Sequence, residues 1–250
     1  MLDFFIKSST ESGEKNLAVP FVGNYTEEKI KKVMQILKED FAGFDAQLII
    51  MDVVPWMLPY YEASGIQFEI EDNRDYMDYT FTPEQFLAGM DMQDDRYRYN
   101  YFKRRFAYET EEITPFHREE IREFMEREWC GEKTCEECHC GCLLRVIDNL
   151  VPVFDKIRIN GILVRVEGKM AGLCIVSCRN GLGVYQYKNA VNRIKGINEY
   201  LLRESFERYL QSADTINYTE DMGVENLRYY KEHMAPAHTL LSKLTLTERG

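Results

Sequence analysis

The sequence predicts a mixed α/β protein of the α+β class, built as two units in tandem, each a mostly antiparallel sheet flanked by helices. Short apolar strand patterns alternate with segments of helical periodicity along the chain. Two helix starts carry capping signals, at Thr82 and at Thr114. Between residues 156 and 188, consecutive strand patterns are separated only by turn residues, which is typical of an antiparallel meander.

Residues 1–108 form the predicted N-terminal unit. Strand patterns in LDFFIKSS and NLAVPFVG precede a helix over residues 27–41, whose apolar side chains recur at helical spacing behind Thr26. A strand in AQLIIMDVV, a short helix near Trp56, a strand in IQFEIE and a helix capped by Thr82 follow. Because the chain begins almost inside a strand, we expect this unit to be truncated.

Residues 109–250 form the predicted C-terminal unit, which carries the candidate site. A helix opens at Thr114, and a second follows over residues 143–154. After the meander, a long helix is predicted over residues 197–211. A strand in DTINY, a helix in VENLRYYKEH and a last strand in HTLLSKLTL complete the unit.

Charge and hydropathy restrict the function. The formal net charge of −11 opposes broad attachment to DNA or to anionic lipid, so any contact with nucleic acid must be local. The sequence has no apolar run of the roughly 20 residues that a membrane span needs, and its N-terminus lacks the zones of a signal peptide. We therefore expect a cytoplasmic protein without a membrane span.

Five of the seven cysteines lie between Cys130 and Cys142, with His139 among them. This segment has enough thiols for a tetrahedral zinc site. Its spacing lacks the paired knuckles of a zinc ribbon, and alternate cysteines cannot all face one ion from a regular strand or helix. Zinc and reduced thiols therefore both remain open, and no metal ligand is assigned.

A polar, Gly-containing loop joins the third meander strand to the long helix. A glycine there lets backbone N–H groups approach a phosphate at the positive end of the helix. The pattern Arg-x-x-Gly-x-Asn resembles the acyl-CoA loop of acetyltransferases, although Asn stands where a small residue is usual; a plain strand-to-helix turn is the alternative. The candidate cofactor-binding residues are Lys188, Arg193, Lys195, Gly196 and Asn198.

The segment NYTEDMGVENLRYYKEH follows a buried strand pattern. Of the segments that follow such a pattern, it has the densest group of polar residues. Asp221 can accept a proton from an attacking amine or hydroxyl group. Arg228 and Lys231 can stabilise the negative charge that develops during the reaction, and Asn217 stands at the end of the preceding strand. In the simpler alternative, Asp221 caps the helix and Gly223 permits a tight turn. Asn217, Asp221, Arg228 and Lys231 are the candidate catalytic residues.

A basic segment rich in tyrosine, RYRYNYFKRR, either contacts RNA by stacking and charge or forms an inter-domain helix with solvated arginines and buried rings. From about Asp75 onward the chain resembles bacterial proteins related to the C-terminal domain of phosphatidylglycerol lysyltransferases, themselves related to Fem-type aminoacyl transferases. Asp94 and Asp95 replace lysines of the family's basic segment. The matching positions of the polar cluster are Asn217, Asp221, Gly223, Leu227, Arg228, Lys231 and Pro236.

The resemblance implies two acyl-transferase (GNAT) folds in tandem and an acyltransferase activity. The donor would be aminoacyl-tRNA or acyl-CoA, and the acceptor an amine or hydroxyl group of a small molecule or peptide. The alternative is a non-catalytic GNAT-like protein that binds a metabolite, a metal or a protein partner. A cleft closed by side chains where acyl-CoA should enter would favour this alternative.

Overall fold

The computed structural model describes residues 6–9, 15–19, 26–41, 47–130, 143–157, 159–234 and 238–248, which form two compact units. The predicted boundary after residue 108 falls inside the second unit, and the C-terminal segment belongs to the first. Unit 1 comprises Met1–Asp78, Glu220–Arg228 and Leu240–Gly250, and unit 2 comprises Tyr79–Thr219 and Tyr229–Thr239.

Unit 1 is built on a five-stranded sheet in the order β1-β2-β3-β12-β4, and among its described strands only β2 and β3 pair in parallel. The predicted N-terminal strand pair and the predicted helix over residues 27–41 are confirmed. The elements are β1 (Ile6–Ser9), β2 (Lys15–Val19), α1 (Glu27–Phe41), β3 (Gln47–Val53), α2 (Leu58–Glu62), β4 (Phe68–Asp72) and β12 (Leu244–Glu248).

The core of unit 1 forms where α1 packs against the sheet. Ile30 and Met34, one turn apart on α1, are buried with Ile50 and Val53 of β3. Leu246 of β12 is fully buried in the same cluster. The C-terminal strand therefore supplies both backbone pairing and core volume to a unit made mainly from the N-terminal residues.

Unit 2 is built on a seven-stranded sheet in the order β11-β5-β10-β9-β8-β7-β6. The predicted antiparallel meander is confirmed as β7, β8 and β9, and β9 pairs in parallel with β10. The strands are β5 (Asp78–Phe81), β6 (Tyr108–Glu112), β7 (Asn160–Val166), β8 (Lys169–Arg179), β9 (Leu182–Ala190), β10 (Thr215–Asn217) and β11 (Thr239–Leu241).

Strand β8 is the centre of unit 2. Its residues from Met170 to Val176 are all buried, as expected for a strand covered on both faces. Helix α5 contributes Ile121 and Phe124 to the core, and α7 contributes Leu201. The helices are α3 (Pro83–Met90), α4 (Gln93–Arg105), α5 (Arg118–Met125), α6 (Leu143–Leu150), α7 (Ile197–Ser205) and α8 (Glu225–Met234), whose first four residues belong to unit 1.

Two local predictions have different outcomes. The capping signal at Thr82 is confirmed, because its hydroxyl accepts from the Gln85 N–H while the Gln85 side chain accepts from the Thr82 N–H. The single last strand predicted in HTLLSKLTL is wrong, because the chain forms β11 in one sheet and β12 in the other. The break falls at Ser242 and Lys243, where polar residues interrupt the apolar pattern.

The basic, tyrosine-rich segment is helix α4 within unit 2. Phe102 is fully buried on this helix, whereas Arg96, Arg104 and Arg105 are exposed. The exposed arginines and the buried Phe102 agree with the prediction, although Tyr97 is 51% exposed. The prediction that this helix lies between domains is wrong, because α4 lies within unit 2. Across the described ranges of the chain, none of the helices is long and apolar enough to cross a membrane.

The place of β12 in the sheet gives a first testable prediction. Leu246→Ala should lower the free energy of unfolding of unit 1 by about 2–5 kcal/mol, because it empties a fully buried position. Leu241→Ala, at a position that is 36% exposed, should cost less than about 1 kcal/mol. Urea unfolding followed by circular dichroism measures both. Equal losses would show that β12 does not fill the core of unit 1.

Candidate functional site

A wedge opens in the sheet of unit 2 where β9 and β10 separate. Their parallel pairing covers only the positions from Leu182 to Val184 on β9, and it ends at Asn217 on β10. Directly after this point β9 has a bulge, since Tyr187 pairs with Ile175 but Tyr185 already pairs with the next residue of β8. An extra residue bends a strand and increases its twist, so the bulge carries β9 away from β10.

Aromatic side chains cluster at this wedge. Tyr185 follows the last paired residue of β9, and Tyr218 follows β10; their rings meet edge to face at 5.3 Å between centroids. Phe86 of α3 contacts both rings, at 5.2 and 5.8 Å. The Tyr185 hydroxyl donates to the Leu202 carbonyl oxygen at 2.8 Å. Burial raises the pKa of Tyr185, of Tyr218 and of Tyr230 on α8, so all three phenols stay protonated.

Lys188 extends from β9 beside these rings. Its Nζ donates to Asn198 Oδ1 on α7 at 3.0 Å and lies 6.0 Å from the centre of the Tyr230 ring. Burial lowers the pKa of Lys188, although the negative potential of Glu199 and Asp95 partly opposes the shift. Two of the predicted cofactor-binding residues, Lys188 and Asn198, are therefore in contact with each other.

An acidic cleft of about 380 Å³ borders the wedge, between the start of α4 and the C-terminal part of α8. Burial raises the pKa of Asp95, and repulsion by Glu199 adds to the shift. Glu199 accepts a hydrogen bond from Arg98 at 3.2 Å. We call this the α4–α8 cleft; it is lined by Met92, Gln93, Asp94, Asp95, Arg98, Tyr229, Tyr230 and His233.

The predicted phosphate loop is divided in the structure. Gly196 has φ +89°, and a Cβ at this position would lie 2.1 Å from the Arg98 carbonyl oxygen, so this glycine lets α7 pack against α4. Lys195 Nζ lies over the rings of Tyr97 and Tyr101, at 4.9 and 5.2 Å. Arg193 lines a different cleft. The loop residues thus have at least three distinct environments.

Two of the four candidate catalytic residues fix a turn in unit 2. Asn217 Oδ1 accepts from the Thr219 N–H at 2.7 Å, and Lys231 Nζ donates to the carbonyl oxygens of Tyr218 and Thr219 at 2.6 and 3.2 Å. Thr219 has φ +58°, which is rare for a β-branched residue. Such strain costs on the order of 1–3 kcal/mol and persists where the surroundings enforce it. Asn217 and Lys231 provide that enforcement.

The other two lie in a buried ion-pair network in unit 1. Asp221 has no exposed surface. Its Oδ2 accepts from Arg74 at 2.9 Å and from Arg228 at 3.1 Å, and its Oδ1 accepts from Arg228 and from the Gly223 N–H at 2.9 and 3.0 Å. Arg228 also pairs with Asp75 at 2.5 Å. The hydrogen bonds that Arg228 donates to Asp221 and Asp75 raise its pKa. Asp221 therefore holds Arg228 in a fixed orientation.

Sequence reasoning missed several members of these groups. Arg74 and Asp75 stand on a short helical turn after β4, about 150 positions before their partners, and no periodicity connects them. The sequence did not indicate that Tyr185 and Tyr230 lie near the wedge, because tyrosines in a strand or a helix are typical core residues. The one available signal was the replacement of the family's lysines by Asp94 and Asp95, which marks the acidic cleft.

The predicted cysteine site lies almost wholly outside the described residues. Cys130 is half-buried at the end of a π-helical turn, Glu126–Cys130, whereas Cys135, Cys138, His139, Cys140 and Cys142 are outside the described ranges. Elsewhere in the described part of the chain, no three His, Cys, Asp or Glu side chains are grouped to hold a metal ion. Zinc at this cluster stays a prediction.

The two sheets, with the meander and the wedge in unit 2, define a tandem GNAT-fold protein. A tandem GNAT protein from the clavulanic acid biosynthesis pathway shares this fold, with a TM-score of 0.54 and 11% identity over 94% of this chain and 74% of that chain. The family described as phosphatidylglycerol lysyltransferase, C-terminal, matches residues 3–242, and this chain belongs to it.

Solved structures agree with this assignment. A conserved protein of unknown function from Bacteroides thetaiotaomicron VPI-5482 has a TM-score of 0.78 and 24% identity over 99% of this chain and 83% of that chain. L-PGS from Bacillus licheniformis has a TM-score of 0.66 and 14% identity over 98% of this chain and 82% of that chain. A search of curated proteins found no match. The predicted family and fold are confirmed.

The Asp221 network gives a second prediction. Asp221→Asn should lower the free energy of unfolding by about 2–4 kcal/mol, because it removes a buried charge from between two guanidinium groups. Asp75→Asn is the matched control, since Asp75 contacts the same Arg228 but is 51% exposed. We expect the control to cost less than about 1 kcal/mol. Chemical denaturation measures the loss for both variants. Similar losses in the free energy of unfolding would show that Asp221 contributes no more to stability than Asp75.

Lys188 gives a third prediction. Because the folded-state pKa of Lys188 lies below the ordinary value of 10.5, its charge destabilises the fold at lower pH, and this penalty disappears as the pH rises toward 10.5. Lys188→Met should therefore raise the melting temperature near neutral pH, and the gain should shrink as the pH rises toward 10.5. Exposed Lys156→Met is the control. A gain independent of pH would contradict this account.

Proposed function

We propose that this chain is an aminoacyl transferase that takes its aminoacyl group from aminoacyl-tRNA and transfers it to a hydroxyl or amine acceptor. The filled wedge between β9 and β10 is the observation that carries the proposal. Membership in the phosphatidylglycerol lysyltransferase family supports the general class of reaction. The donor and the acceptor are inferred from the chemistry of the α4–α8 cleft and the wedge.

The wedge argues against acyl-CoA as the donor. The extended arm of an acyl thioester would need a groove between the diverging strands. In this chain Tyr185 and Tyr218 close that space with rings in contact, and Phe86 packs against both. Removing a packed aromatic side chain from such a site costs several kcal/mol. A donor that stays at the mouth of the wedge avoids this cost.

The charge at the mouth suits an aminoacyl donor. An aminoacyl ester carries an α-ammonium group, and a lysyl group carries a second cation. Asp95 and Glu199 lie close enough to raise the pKa of Asp95, so a bound cation would relieve their repulsion. The same carboxylates would repel the negatively charged phosphates of coenzyme A. We infer that the α4–α8 cleft receives the ammonium end of the donor.

The reaction would proceed by attack of the acceptor oxygen or nitrogen on the ester carbonyl carbon. The acceptor loses a proton, the carbonyl oxygen gains negative charge, and the 3′ oxygen of the RNA leaves with a proton. Beyond Val184, backbone N–H groups of β9 on the wedge side have no strand partner in the described residues and are available to that oxygen. Lys188 and Asn198 would contact the donor from the inner side.

The four candidate catalytic residues act in this proposal as positioning residues. Lys231 and Asn217 hold the strained turn after β10, which carries Tyr218 into the wedge. Asp221 and Arg228 hold the turn that leads into α8. Gly196 and Lys195 maintain the packing of α7 against α4.

The filled wedge also favours a second candidate, a non-catalytic GNAT-like protein that binds a metabolite, metal or protein partner. A closed cleft was the feature expected of that class. The two candidates differ in one respect: a binding protein can recognise a small cation in the α4–α8 cleft but transfers nothing. A transfer assay therefore separates them.

The assay supplies radiolabelled lysyl-tRNA or acetyl-CoA to the purified protein with phosphatidylglycerol, a small alcohol or an amine peptide as acceptor. We expect transfer from lysyl-tRNA only. Lys188→Met should reduce the rate by about 100-fold, because it removes a side chain proposed to contact the donor. Arg118→Gln, which breaks an exposed pair with Asp148, is the control and should leave the rate unchanged.

Several outcomes would overturn the proposal. Transfer from acetyl-CoA would refute the donor assignment. Absence of transfer with every acceptor, together with a raised melting temperature in the presence of lysinamide, would favour the binding protein, because ligands that bind only the folded state stabilise it. An unchanged rate for Lys188→Met would remove Lys188 from the mechanism.

A further inference from the structure

A second cleft in unit 2, of about 720 Å³, lies beside the turn between β7 and β8. It shares no lining residue with the α4–α8 cleft. We call it the basic cleft, because three cationic side chains line it against a single carboxylate, Glu167. The cations are Arg127, Lys169 and Arg193, and the remaining lining residues are Phe106, Val166, Met170, Ala171, Val191 and Ile194.

The three cations come from separate parts of the chain. Arg127 stands on the π-helical turn after α5, Lys169 begins β8, and Arg193 follows β9. Their convergence gives the cleft a local excess of positive charge in a chain of net charge −11. Such a grouping is unfavourable by itself, since like charges repel, and an anionic ligand relieves the repulsion.

Arg127 is oriented by its surroundings. Its Nη2 donates to the Met170 carbonyl oxygen at 3.1 Å, its Nε pairs with Glu128 at 2.8 Å, and its guanidinium carbon lies 5.7 Å from the centre of the Phe124 ring. π-helical turns occur frequently at functional sites. Lys169 and Arg193 are exposed and form no ion pair with any residue in the described ranges. Their charges are therefore available to a ligand.

The base of the cleft indicates what accompanies the anion. Val166, Met170 and Val191 are buried and apolar, and Phe106 adds an aromatic ring. An inorganic ion would leave this apolar surface uncovered. The volume lies in the range typical of small-molecule sites, which combine apolar walls with a few polar groups. A flat, partly apolar group linked to a phosphate fits both features.

We propose that the basic cleft binds a nucleotide, with its phosphate near Arg127, Lys169 and Arg193 and its base against the apolar wall that includes Phe106. Arginine recognises phosphate by paired hydrogen bonds, and bases pack on aromatic and guanidinium surfaces. The same chemistry is present in a free mononucleotide and in the terminal nucleotide of an RNA. The site does not depend on the proposed transfer activity, because a binding protein could carry it equally well.

An anionic membrane surface fits the cleft less well. Attachment to a membrane depends on several basic residues spread over a face, each contributing about 1 kcal/mol. Here the cations line a concave site on a protein with net negative charge, which a bilayer as a whole would repel. A nucleotide enters the cleft singly and does not meet that repulsion.

Calorimetric titration of the full chain with AMP, a short single-stranded RNA ending in adenosine, and inorganic phosphate tests the proposal. AMP should bind more tightly than phosphate, and the RNA at least as tightly as AMP if the ligand is an RNA end. The double variant Lys169→Gln/Arg193→Gln should weaken AMP binding by about tenfold or more. Arg179→Gln is the matched control, an exposed arginine at the other end of β8.

Melting temperatures of all variants show that they fold, so a loss of binding reports on the site. Absence of AMP binding by the wild type at millimolar concentration, or equal affinity for AMP and phosphate, would overturn the proposal. So would unchanged affinity in the double variant. Binding to phosphatidylglycerol vesicles that is lost in the double variant, without AMP binding, would assign the cleft to a lipid headgroup instead.

Discussion

The short parallel pairing between β9 and β10 is the constraint on which the rest of unit 2 depends. Only a few residue pairs hold the two strands together before the bulge after Tyr185 separates them. A gap in a sheet exposes backbone groups and must be filled or solvated. Unit 2 fills it with Tyr185, Tyr218 and Phe86, and the strained Thr219 turn follows directly from bringing Tyr218 to this place.

In unit 1, the corresponding constraint is a buried carboxylate that must be paired. Asp221 is buried, and burying an isolated carboxylate is very costly unless it is paired and hydrogen-bonded. Arg74, Arg228 and the Gly223 N–H satisfy both oxygens, while the two guanidinium groups keep about a third of their surface in water. The arginines avoid most of the desolvation cost, so the network fixes their direction without neutralising the surface on which they lie.

The periodicity of apolar residues was sufficient to predict those elements whose apolar side chains all face the same core. Helix α1, the meander and α7 were predictable because their apolar positions face a single core. It failed for the C-terminal residues, where one apolar run serves two sheets. The identity of a strand's neighbour is a long-range property, and the alternation of residues along β11 and β12 does not encode it.

The candidate site was predictable only in part, for the same reason. Asn217, Asp221, Arg228 and Lys231 were found because they lie close together in sequence and resemble a family pattern. Their separation into a turn-fixing pair and a buried ion pair depends on partners elsewhere in the chain, such as Arg74 for Asp221. The loop around Gly196 shows the converse. The sequence suggested that this glycine allows phosphate binding, whereas in the structure it allows α4 to pack closely against the loop.

The insertion of β12 between β3 and β4 affects how the chain acquires its structure. During synthesis, β3 and β4 leave the ribosome about 170 residues before the strand that joins them. Two strand edges remain open throughout that interval and can pair with other chains. Contacts over such distances in sequence also slow folding. Strands β3 and β4 are therefore made well before β12, yet their sheet can be completed only after β12 has been made.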